Sequence, residues 1–245
     1  MAFAPQAGRF AVVGALVATI ALSWAYLGAM AAHGMAAALT PASWSASYAG
    51  TMLLMWVLMM VAMMLPSALP MILLMDRFAR ARRRGGGDTA LFAGGYVAVW
   101  AGFALLATLG QWALEAAGGL TPELRLVSPA LAAGVFIAAG AYQFSPLKSG
   151  CLVACRSPLA FLAAHWRAGA GGALRMGLHH GLLCLGCCWL LMALLFVGGA
   201  MNLLWIVPVA LFVLVEKCLP AGERIGRTAG ALLVLWGAAI FFLNG

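Results

Sequence analysis

The chain has 245 residues, of which 65% are apolar and only 8% charged, and its mean hydropathy is +1.04. A soluble domain carries roughly a quarter charged residues, so this chain cannot cover a water-facing surface, and lipid must solvate most of it. The net charge of +8 does not indicate nucleic acid as a partner: the 14 Lys and Arg residues sit in short segments between apolar runs, with no basic face interleaved with aromatic side chains.

A bilayer core requires about 20 residues of apolar helix. Seven stretches qualify: Phe10–Ala32, Thr51–Met75, Thr89–Trp112, Ser128–Phe144, Met176–Gly199, Asn202–Lys217 and Thr228–Leu243. The first is apolar for too long to be a signal peptide and is expected to stay as a span. The fourth and sixth are short. Together they predict an all-α, polytopic transmembrane helix bundle of about seven spans, one integral membrane domain over residues 1–245. Gly85–Gly86–Gly87 reads as a flexible loop between spans two and three.

The basic residues orient this bundle. With an odd number of spans, Arg9, the Arg77–Arg84 group, Lys148, Arg156, Arg167, Arg175, Lys217, Arg224 and Arg227 fall on one face, and only Arg125 falls on the other. The positive-inside rule makes that face, and the N-terminus, cytoplasmic. The expected location is the bacterial inner membrane.

In the second span, Met52, Met55, Met59 and Met63 recur every three or four residues, with Met60 and Met64 beside them. Thioethers suit copper(I), although a methionine stripe also serves simply as core filler. Pro66 and Pro70 are expected to break or kink this helix and free backbone carbonyls near Ser67. In Tyr142–Pro158, Pro146 ends the fourth span. Cys151 and Cys155 follow at i, i+4, on one face if Lys148–Arg156 forms a short re-entrant or interfacial helix. A structural or lipidated role for them stays open. In Gly177–Trp189, His180, Cys184 and Cys188 share a helical face, Cys187 borders it, and His179 lies about a quarter-turn away. Imidazoles in a membrane require partners, and the nearest candidates are thiols. The two cysteine stretches fall on the same side of the membrane and are expected to converge near its cytoplasmic edge.

Other residues carry less. His33 and His165 read as interfacial histidines, with a ligand role left open for His165, and Asn202 as a helix cap. Glu216 and Lys217 are adjacent, so they diverge by about 100° and do not pair with each other. Glu216 either meets a basic residue on another helix or is a proton-linked group.

The strings MWVLMMVAMMLPSALPMI, YQFSPLKSGCLVACRSP and GLHHGLLCLGCCWLLMALLFVGGAMNLLW resemble a bacterial family of predicted metal-binding integral membrane proteins, known as domain of unknown function 2182. The resemblance runs from about Trp44 to Lys217. It implies a multi-spanning inner-membrane protein with Cys151, Cys155, His179, His180, Cys184, Cys187 and Cys188 as metal-binding positions.

Soft ligands dominate, with six cysteines and fourteen methionines against six acidic residues. Copper(I) is therefore the favoured ion, bound by these cysteines and histidines with Met55, Met59 and Met63 as weaker positions. Zinc suits a Cys/His site but gives no reason for the methionines. The expected partners are the bilayer, the metal ion, and a metal-donor or membrane protein. Three other readings stay open: a thiol–disulfide oxidoreductase using Cys151/Cys155 and Cys184/Cys187, a heme subunit with His179 or His180 as axial ligand, and a non-catalytic subunit of a membrane complex. No nucleophile–base–acid arrangement, phosphate loop or carboxylate pair lies within the spans, so no enzyme activity is read.

Overall fold

The computed structural model describes residues 6–32, 44–82 and 86–244. His33, Arg83, Arg84 and Gly85 lie outside them. The described residues form an all-helical membrane bundle, apart from an isolated bridge between Leu120 and Leu126. In chain order the helices are α1 (Gln6–Ala32), α2 (Ala46–Ala81), α3 (Gly86–Ala116), α4 (Pro129–Tyr142), α5 (Pro146–Arg156), α6 (Pro158–His165), α7 (Ala170–Ala193), α8 (Leu195–Gly198), α9 (Leu203–Cys218) and α10 (Gly222–Asn244).

Among the described residues, five units are long and apolar enough to cross a membrane: α1, α2, α3, α7 continued through α8, and α10. The expected fourth and sixth spans are present as helices but fall short. α4 has 14 residues, and α5 follows it at a bend of 63°, so the pair counts as a sixth span only as one broken unit. α9 has 16 residues, about 24 Å of helix. Proline sets both limits. Pro146 starts α5 as its first residue, capped by the Ser145 hydroxyl. Leu219, held extended before Pro220, ends α9. Asn202 caps α9 as expected, its side chain accepting from Leu204 N at 3.1 Å.

Of the expectations about backbone breaks, the glycine loop is corrected, and the second span shows no break at its prolines. Gly86 and Gly87 belong to the first turn of α3 rather than to a loop. Pro66 and Pro70 lie inside α2, which runs unbroken for 36 residues. The Met64 carbonyl there accepts from Ser67 Oγ at 2.8 Å and from Tyr96 OH at 3.0 Å. The Tyr96 hydroxyl of α3 thus adds a hydrogen bond from the neighbouring helix to the α2 backbone close to Pro66.

α2 is the axis of the fold, and its methionines at 52, 55, 59, 60, 63, 64, 71 and 75 are all buried. α3 and α7 press together through glycine. A Cβ on Gly177 would lie 2.0 Å from the Phe92 carbonyl oxygen, and one on Gly95 would lie 2.6 Å from that of Leu174. α4 and α10 meet in the same way at Gly140 and Gly230. Small residues permit such backbone contact, the chief packing device between helices in lipid. Gly177→Ala must push α3 and α7 apart. It is expected to cost about 1–3 kcal/mol and lower the unfolding midpoint in detergent; an unchanged midpoint would show that the helices separate freely.

Candidate metal site

α7 turns His180, Cys184, Cys187 and Cys188 into the protein, and all four are buried. The expected shared stripe is therefore the inward face. Cys187 and Cys188 each donate to the Cys184 carbonyl, at 3.0 and 3.1 Å. Opposite them, α2 supplies Met64, whose Sδ lies 3.8 Å from Cys188 Sγ. α3 supplies Tyr96, whose hydroxyl is 3.0 Å from Cys184 Sγ.

The fourth wall is α9. Lys217 Nζ stands 2.8 Å from Cys184 Sγ, 3.6 Å from Cys188 Sγ and 3.9 Å from Met64 Sδ. A buried ammonium is thus surrounded by two thiol sulfurs and a thioether. Its residue neighbour Glu216 turns elsewhere and forms a buried ion pair with Lys148 of α5, at 2.7 and 2.8 Å to the two carboxylate oxygens. As expected, Glu216 and Lys217 do not pair; of the two roles left open for Glu216, the structure shows the salt bridge.

That ion pair also positions the second cysteine stretch. α5 is tied to the end of α9 by Lys148 and by Arg156, which donates to the carbonyls of Leu219 and Pro220. Cys155 then faces Cys184 and Cys187. Cys151 presses on α7 where a side chain is lacking: a Cβ on Gly186 would lie 2.7 Å from its sulfur. Tyr142 OH donates to the Gly186 carbonyl and holds α4 to the same place. The two cysteine stretches converge, and all six cysteines are free thiols.

The structure gives the positions of the expected residues. Cys184 is the fifteenth residue of α7, about 21 Å from its start, so the cluster stands midway along that helix. Met64, rather than Met55, Met59 or Met63, meets the thiols; no thiol donates to those three among the described residues. His179 turns away from the sulfurs and packs against His165 and Phe161. Among the described residues, no three His, Cys, Asp or Glu side chains are set to hold one metal ion as they stand. Gathered here instead are two thiols and a thioether with an ammonium between them. Tyr96 and Lys217 stand in this cluster although the sequence reading did not place them there; an ionisable side chain at the end of an apolar run was the signal for the second.

Sulfur donors of this kind suit a soft monovalent ion, and the chain matches the family model described as PpoB2, copper chaperone, over residues 53–240. The chain belongs to the PpoB2 copper chaperone family. The match covers α3 to α9 entirely, with most of α2 and α10, and so includes every residue of the sulfur cluster. Membership, together with the long apolar helices, makes this a membrane copper-handling protein. A copper family also favours copper over zinc. The chain has no significant match among curated proteins or solved structures.

Proposed function

We propose that this PpoB2 family member binds copper(I) at Cys184, Cys188 and Met64 and hands it to a partner protein, with Cys155 and Cys187 as exchange ligands on the way in or out. One observation carries the reading: Lys217 Nζ lies within 3.9 Å of all three sulfurs in a buried site. A buried ammonium requires an anion, and sulfur is the nearest group that can supply one. A thiolate is the form of cysteine that binds metal. Copper(I) held by two thiolates carries a net charge of −1, which the same ammonium offsets. The thioether of Met64 favours copper(I) over zinc. The buried methionines of α2, one turn after another, offer weaker positions along the bundle for an ion in transit.

The basic loops support an orientation with the N-terminus in the cytoplasm and residence in the bacterial inner membrane. Elemental analysis of detergent-purified protein tests the site. Wild type is expected to hold about one copper or more per chain, and the variant with Cys184, Cys187 and Cys188 all changed to Ser to hold none. Equal copper in both would remove the cluster from consideration.

A further inference from the structure

His165, on α6, stands apart from the sulfur cluster, yet its imidazole meets that of His179 edge to face, with ring centroids 4.5 Å apart and planes at 80°. His165 Nδ1 lies 3.1 Å from the Phe161 carbonyl oxygen. A carbonyl only accepts, so Nδ1 carries the proton and Nε2 keeps its lone pair. A backbone carbonyl that fixes the tautomer in this way is the usual outer partner of a metal-binding histidine. The chain directly after His165 is anchored by Arg82, the residue that follows α2, whose guanidinium carbon lies 4.1 Å from the Trp166 ring centroid.

The Phe161 ring links three imidazoles, with centroids 4.9 Å from His165, 5.5 Å from His179 and 5.3 Å from His180. His180 is buried, and its Nδ1 has no hydrogen-bond partner. Such an orphaned nitrogen has lost water without gaining a partner, which favours a ligand that it can bind. One turn further along α7 is Cys184. From exposed His165 through half-buried His179 to buried His180 and Cys184, nitrogen donors give way to sulfur with depth.

We propose that His165 and His179 form an outer copper(I) loading site, which passes the ion by way of His180 to the sulfur cluster. The inference rests on the reading of that cluster as the copper site. Imidazole is a less selective donor for copper(I) than thiolate or thioether, so the ion moves inward to tighter binding.

The test is an anaerobic titration of the purified full-length protein with copper(I) against a chromophoric competing chelator, with the loading rate followed in the same cell. Wild type is expected to show a tight class of site and a weaker one. His165→Ala alters an exposed side chain on a surface helix; it is expected to remove the weaker class and slow filling of the tight class by about tenfold or more. His165→Met, a soft donor of similar reach, is expected to restore both. If His165→Ala keeps both classes and loads at the wild-type rate while the cysteine variant loses the tight class, the loading site falls and the sulfur site stands. If wild type takes up no copper(I), the sulfur site falls and the loading site falls with it.

Discussion

Glu216→Leu is expected to destabilise the protein by roughly 3–5 kcal/mol, because it leaves the Lys148 ammonium buried without its counter-charge. The pair has no solvent to fall back on: its side chains are 3% and 0% exposed. Losing the carboxylate also loosens α5 from α9, and with α5 goes the position of Cys151 and Cys155. Expression in membranes and the unfolding midpoint in detergent both report the loss. The double variant Lys148→Met/Glu216→Leu removes the charges together and is expected to recover most of the midpoint, since apolar replacements of a buried ion pair are often neutral. A single variant as stable as wild type would mean that water or lipid headgroups reach Lys148 after all.

Lys217→Met is expected to weaken copper(I) binding by roughly 10²–10⁴-fold, from the same 3–5 kcal/mol cost of an uncompensated buried charge. Two effects act in one direction. Without the ammonium 2.8 Å away, Cys184 loses the partner that favours its thiolate, and the anionic bis-thiolate complex loses its counter-ion. Lys217→Arg keeps the charge and is expected to bind more tightly than Lys217→Met. Competition against a copper(I) chelator measures both. Tighter binding in Lys217→Met would mean that the ammonium competes with the metal for the sulfurs rather than supporting it.

Much of the architecture was legible because lipid imposes strong rules on a chain. Apolar length identified the spans at α1, α2, α3, α7 and α10. Helical spacing put His180, Cys184 and Cys188 on one face, and burial assigns that face to the interior. Divergence of neighbours on a helix separated Glu216 from Lys217. The same reading gave the fourth and sixth stretches as short, with Pro146 closing the fourth, and they are helices of 14 and 16 residues. Apolar length does not show that α4 is followed by α5 at a bend of 63°.

The methionines show the other limit. Periodicity puts Met63 on the expected stripe and Met64 beside it, yet both are buried because α2 is surrounded. Only the tertiary packing decides that Met64 meets Cys188. The same holds for His165 and His179, which are 14 residues apart with a turn of irregular chain between their helices. Nothing in their spacing states that the rings touch.

Composition and pattern by themselves determined that this chain is a helical membrane protein rich in soft donors, because burial in lipid depends on residue type and order along the helix. The tertiary structure decided which donors meet. Lys217, Met64 and Tyr96 come from three helices, and their convergence on Cys184 and Cys188 depends on glycine contacts, a buried ion pair and the packing of helix on helix. Those are properties of surfaces in contact, and no single helix carries them.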